Sequence, residues 1–205
     1  MRARANVLLI ASLILGGALP VLADSVSDAI KSLHDRDPQV RVQSRDTLVK
    51  AGAKAVGPMV AAMTNRNRLV LLSVMSRIGR PLVPALIEQL DNPEVRSQAG
   101  EALFQLISPA DRVQIPVLVK CFQKPEFASH CGRALDKIVD AQAQNQVPAL
   151  TKALKSRDAG VRLYAVLVLS RIGRGAAAAK PALKLLSKDS DAEVRRAAKE
   201  ALKKV

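Results

Sequence analysis

The chain has 205 residues, with 32 Lys and Arg against 18 Asp and Glu, a net charge of +14, and an apolar fraction of 49% that includes four aromatic residues and no Trp. This length suits one ordinary domain or an array of about six helical hairpins. Runs of β-branched residues joined by Asn-Gly or Asp-Gly turns are missing, so a sheet has little support and an all-α fold is expected.

The first 23 residues stand apart. Arg2 and Arg4 give a basic start, Val7 to Leu15 is an uncharged apolar run, and Gly16, Gly17 and Pro20 break it. Val21-Leu22-Ala23 then sets small residues before Asp24. This is the layout of a secretory signal cut near Ala23, with an uncleaved anchor as the alternative. A spanning helix needs about 20 apolar residues, more than this broken segment supplies. Cleavage leaves residues 24–205 as the mature domain, with 30 basic against 18 acidic residues and a net +12. The expected location is the periplasm or the outside of the cell.

From Val56 onward a pattern recurs. Short apolar segments begin at Val56, Val83, Ile115 and Val147, at intervals of 27, 32 and 32 residues. Each is followed by a second helical stretch that opens on Arg68, Arg96, Ala128 or Arg162, as Arg41 and Arg195 do in the flanking copies. In the copy from Val83, Leu86 and Leu90 share a face of a first helix, and Asp91-Asn92-Pro93 stops it. Asn92 is then expected to cap a second helix with Pro93 in its first turn. Val95, Ala99, Ala102, Leu103 and Leu106 make that helix's apolar stripe. Asp37, Asp158 and Asp191 occupy the same cap position ahead of Val40, Val161 and Val194. Gly52, Gly79 and Gly173 close second helices. A period in this range predicts a stacked array of helix pairs. The units fall at about 25–55, 56–82, 83–114, 115–146, 147–179 and 180–205.

The pattern D-x-x-V-R-x-x-A-x-x-A-L-x-x-I-G resembles the HEAT repeat, in the short HEAT-like form typified by phycobilisome lyase subunits. The resemblance runs over about residues 25–205, and Ser-Arg-Ile-Gly-Arg occurs twice, at Ser76 to Arg80 and Ser170 to Arg174. It implies an α-solenoid of six stacked hairpins. It also implies that Arg41, Arg68, Arg96, Arg162 and Arg195, with Asp37, Asn92, Asp158 and Asp191, form a ladder of hydrogen bonds between neighbouring units. The fourth unit departs from the pattern: Phe127 stands at the Val position, Ala128 at the Arg position and Lys124 at the cap.

That unit also holds both cysteines. Cys131 aligns with Ala99 and Ala165 on the inward stripe, and Cys121 lies on the preceding helix of the same hairpin. In an oxidising compartment the two form a disulfide; in the alternative they are reduced and act as small buried apolar residues. His130 and Cys131 point about 100° apart on a helix, so no metal site is expected there. His34 reads as a solvated residue.

No catalytic signature appears. The chain has no His-Glu pair of the kind that binds iron in deoxyhypusine hydroxylase-like HEAT arrays, and no Trp for a glycosylase-like cleft. Phosphate-binding, nucleophile-elbow and paired zinc-ligand motifs are missing too. No cofactor, metal or small-molecule substrate is expected. The resemblance places second helices on the concave side, where Arg45, Arg77, Arg133, Lys137, Arg171 and Lys199 either line one basic groove or form a scattered solvated face. The expected function is a monomeric exported scaffold that binds a protein with an acidic surface. The alternative is a polyanion-binding protein for cell-surface polymer, anionic lipid or nucleic acid, and a lyase-like enzyme is a distant third. The polar final helix, with Arg195, Arg196, Lys199, Lys203 and Lys204, reads as a capping helix.

Overall fold

Aspartate caps and glycine stops divide this sequence into helices. Asp37 accepts from Gln39 N at 2.8 Å, Asp158 from Val161 N at 2.9 Å, and Asp191 from Glu193 N and Val194 N at 2.9 and 3.0 Å. Each satisfies donors that a helix N-terminus leaves unpaired. Gly52, Gly79 and Gly173 take positive φ of 59°, 77° and 67°, a region that side chains with a Cβ disfavour. Proline sits in the first turn of α7, α9 and α11 as Pro116, Pro148 and Pro181, where no backbone bond is lost.

The computed structural model describes residues 18–79 and 81–205. These form twelve α-helices, α1 (Ala18–Lys31), α2 (Pro38–Ala51), α3 (Ala53–Ala61), α4 (Arg68–Ser76), α5 (Leu82–Gln89), α6 (Arg96–Leu106), α7 (Ile115–Phe122), α8 (Ala128–Ile138), α9 (Val147–Ala153), α10 (Ala159–Ile172), α11 (Lys180–Leu186) and α12 (Ala192–Lys204). Among the described residues there is no strand. Short 3-10 segments, including Pro109–Gln114, Ala141–Gln146 and Gly173–Ala179, lead into α7, α9 and α11. Most of the predicted signal, residues 1–17, lies outside the described residues, as does Arg80. Residues 18–23 begin α1, which passes through the predicted cleavage point.

The even-numbered helices stack in order, each against the next from α2 to α12. The odd-numbered helices form the second layer, with α1 on α3 and α3 on α5, and with α7 and α9 touching the 3-10 segments of the following units. One continuous apolar core runs between the layers. Its close spacing is set by small residues: Ala99, Ala102, Ala134, Ala165, Ala198 and Ala201 are all fully buried. Two glycines bring neighbouring even helices closer still. A Cβ on Gly100 would collide with the ring of His130, and one on Gly132 with Tyr164.

One expectation is corrected by the structure. Asn92 does not cap α6, and Pro93 is not helical. Asn92 Oδ1 accepts from Glu94 N at 3.1 Å in a local turn, and α6 begins at Arg96 after Val95. Residues 91–95 form consecutive turns, although Asp37 with Pro38 after it does cap α2. Leu106 ends the expected stripe, partly buried against the core edge at the end of α6, and Ile107 just beyond the helix is buried as well.

Candidate binding surface

The repeated arginines act first within their own hairpin. Arg41 donates to the carbonyls of Asp35 and Arg36, Arg96 to Leu90, Arg162 to Ser156 and Arg157, and Arg195 to Asp189 and Ser190, at 2.7 to 3.0 Å. In all four the carbonyl six residues upstream is bound, which is an orphan acceptor at the end of the first helix. In the second unit that acceptor is Ala62 O, and Asn67 Nδ2 takes it at 2.9 Å while Asn67 Oδ1 accepts from Thr64 N at 2.7 Å. The Arg68 guanidinium is exposed and makes no hydrogen bond or ion pair among the described residues. The ladder expected between units is therefore mainly a set of loop clamps within units.

Two rungs also cross to the next unit. Arg162 forms a bidentate pair with Asp189, at 2.8 Å from Nε and 2.7 Å from Nη2, with side-chain exposures of 11% and 6%. Asp189 Oδ1 also accepts from Asp191 N at 2.9 Å. The hydrogen bond from Arg162 holds the Asp189 carboxyl below its ordinary value. Arg96 lies over the Phe127 ring at 5.4 Å, and Lys124 approaches the same ring at 4.7 Å. The aromatic residue that interrupts the sequence pattern thus receives a cation–π contact from the preceding rung. In this same unit a Cys121–Cys131 disulfide ties α7 to α8, and both residues are buried.

The six basic residues expected to line one groove lie on α2, at the end of α4, and on α8, α10 and α12. Four have partners inside the array. Arg77 pairs with Asp46 at 3.1 Å and Arg171 with Asp136 at 2.8 and 3.1 Å. Lys137 Nζ donates to Phe104 O at 2.8 Å, and Arg133 stacks over the Phe104 ring at 4.1 Å. Each contact joins consecutive even helices. Arg45 and Lys199 make no ion pair or hydrogen bond among the described residues, and they lie at opposite ends of the array.

An apolar groove between α10 and α12 did not stand out in the sequence reading. It has a volume of about 370 Å³, and Leu163, Leu167, Arg196, Ala197, Glu200 and Lys204 help to line it. The available signal was that α10 is apolar on more than its core face: Leu163, Tyr164 and Leu167 all fall outside the Val161–Ala165–Val168–Ile172 stripe. His130 and Tyr164, the polar-tipped side chains between even helices, are half-buried. Burial, then Arg133 and Arg96, holds His130 below the ordinary imidazole value, and burial raises Tyr164. His34 is exposed in the 3-10 segment Ser32–His34. Among the described residues no group of three His, Cys, Asp or Glu could hold a metal ion, and no helix is long and apolar enough to cross a membrane.

These helices and their contacts define an α-solenoid repeat protein. A family model described as HEAT repeats matches residues 115–203, the last three units. The first three units, where Asn67-Arg68 and Asn92-Pro93 depart from the Asp-x-x-Val-Arg pattern, fall outside that match. Among solved structures, an engineered protein from the Northeast Structural Genomics Consortium aligns with a TM-score of 0.51 and 22% identity, over 87% of this chain and 95% of that one. A second engineered protein from the same consortium gives 0.51 and 23% identity over 90% of this chain, which spans about half (48%) of its length. The phycocyanin lyase complex of Nostoc sp. aligns at 0.38 with 19% identity, over 94% of this chain and 79% of that one. No curated protein matches the sequence.

Proposed function

We propose that the chain is an exported, non-catalytic scaffold that binds a protein segment along its even-helix face, at the groove between α10 and α12. One observation carries this reading: Leu163 and Leu167 stay accessible in an open groove between two packed helices, beside Arg196 and Lys204. An apolar floor with a charged rim suits an amphipathic segment, the floor supplying affinity and the rim orientation. The two basic residues favour a partner with acidic flanks, and Glu193 and Glu200 restrict where those acids can sit. The export half of the reading rests on the Arg2–Ala23 segment, and the non-catalytic half on the missing reaction motifs.

The expected basic groove supports a polyanion less well on this face. Arg77, Arg133, Lys137 and Arg171 are already occupied, so a ligand there would compete with internal partners. The test is a pull-down from the source cell's envelope fraction with the full chain, washed at low and high salt. A discrete protein retained at high salt by wild type, and lost with both Leu167→Asp and the surface variant Arg196→Glu/Lys204→Glu, is the expected result. Retention unchanged in both variants, or no discrete protein at high salt, overturns the proposal.

A further inference from the structure

Charge is divided unequally along the array. Residues 24–114 hold 12 Lys and Arg against 10 Asp and Glu, whereas residues 115–205 hold 18 against 8. Most of the net charge therefore belongs to the last three units. Many cations on their even helices have partners, as shown above. The odd helices differ. No Asp or Glu occurs in residues 115–124, 147–157 or 180–188, which contain α7, α9 and α11.

The outward positions of these helices follow from burial. In α7 the core takes Ile115, Leu118, Val119 and Phe122, leaving Val117 and Lys120 outside. In α9 it takes Val147, Leu150 and Ala153, leaving Lys152 exposed, with Lys155 just beyond the helix end. In α11 it takes Leu183 and Leu186, leaving Lys180, Lys184 and Leu185, with Lys188 just beyond the end. The side chains of Lys120, Lys152, Lys155, Lys180, Lys184 and Lys188 make no ion pair or hydrogen bond among the described residues. Leu185 is 77% exposed in the middle of this set, and Val117 40%. Glu88 and Asp91, on and just after α5, mark where the face ends.

We infer that this odd-helix face of units four to six docks on an anionic lipid surface. Six lysines on or just beyond α7, α9 and α11, with no acid in those segments, match the number at which basic clusters hold a negatively charged bilayer. An exposed leucine between Lys184 and Lys188 adds apolar area that enters the headgroup boundary and gives no comparable gain on a soluble polymer. No aromatic residue lies on this face for base stacking, because Phe122 and Phe127 are buried and Phe104 and Tyr164 belong to even helices. The face lies on the opposite helix layer from the α10–α12 groove, so the inference stands apart from the proposed protein partner.

The test is co-sedimentation of the full chain with vesicles of neutral phosphatidylcholine, alone or with 30 mol% phosphatidylglycerol, at low salt and at 0.5 M NaCl. The expected result is binding to anionic vesicles alone, released by salt. The triple variant Lys152→Glu/Lys155→Glu/Lys184→Glu should weaken binding by more than about 100-fold, each lysine being worth roughly five-fold at an anionic surface. Leu185→Ser should reduce vesicle binding while leaving binding to dextran sulfate unchanged. All four residues are exposed, and an unchanged circular-dichroism melt confirms that the variants stay folded. Equal binding to neutral and anionic vesicles would place attachment on residues 1–23 and overturn the inference. Wild-type binding by the triple variant would overturn it as well. So would a Leu185→Ser variant with full vesicle affinity beside equal dextran sulfate binding, which would identify a soluble polymer as the ligand.

Discussion

Removing Arg162 tests how the last unit is held. Its guanidinium makes two bonds to Asp189 and two to the carbonyls of Ser156 and Arg157. Arg162→Ala strands the Asp189 carboxylate, whose side chain is only 6% exposed, with Asp191 N as its main remaining donor. Breaking a buried pair on one side costs about 3–5 kcal/mol. For a domain of this size that corresponds to a fall in Tm of roughly 6–20 °C. The loss should fall first on α11 and α12, because Asp189 lies in the turn between them and α12 packs on α10. Repeat arrays lose cooperativity when one interface weakens. Native-state hydrogen exchange should therefore show faster exchange in α11 and α12 than in α4 or α6. Acid should reproduce the effect. The Asp189 pKa is lowered in the folded state, so its contribution is complete above the unfolded value of about 3.9 and is lost as pH falls through the lower folded value. The acid-induced loss should shrink in Arg162→Ala. A Tm within 1 °C of wild type, with unchanged exchange in α12, would refute the reasoning.

The clamp reading separates two adjacent residues. Asn67→Ala should cost about 1–2 kcal/mol by leaving Ala62 O and Thr64 N without their partner, whereas Arg68→Ala should stay within about 0.5 kcal/mol; paired thermal melts decide it. The disulfide predicts no free thiol in a titration of denatured, unreduced protein, and Cys121→Ala/Cys131→Ala should cost about 2–3 kcal/mol in denaturant unfolding. Gly132→Ala forces a methyl against Tyr164 near its backbone, where the side chain cannot swing aside. That substitution should cost about 1–3 kcal/mol, and adding Tyr164→Ala in a double-mutant cycle should relieve only part of it, because the Cβ that alanine keeps is itself in the clash. His130 has a lowered pKa, so acidification from about pH 6.5 down to its folded value favours the unfolded chain, which binds the proton more readily. Stability measured across that range should fall less for His130→Gln than for wild type.

Period and cap chemistry made the helices legible. A Leu or Ala stripe at helical spacing, an Asp ahead of it and a Gly after it act over a few residues. The three aspartate caps, the three positive-φ glycines and all six hairpin pairs were therefore readable one by one. The departure at Asn92 shows the limit of that reading, since the similar Asp37-Pro38 pair does start a helix while α6 begins only at Arg96. The alignment of Cys131 with Ala99 and Ala165 fixes its face, and all three are fully buried.

Sequence by itself determined the array, its period, the concentration of charge in the last three units and the residues that point inward. Tertiary structure alone decided which cations remain available. Arg77, Arg171 and Lys137 have the same charge as Lys152 or Lys184 in sequence, yet their partners lie 31 to 35 residues away, one unit along. The structure also left Leu163 and Leu167 open while covering equally apolar neighbours, because α12 packs against one side of α10 and not across its full width. Local interactions repeat with the sequence and can be read from it. The availability of a charge or an apolar side chain depends on what the next unit places beside it.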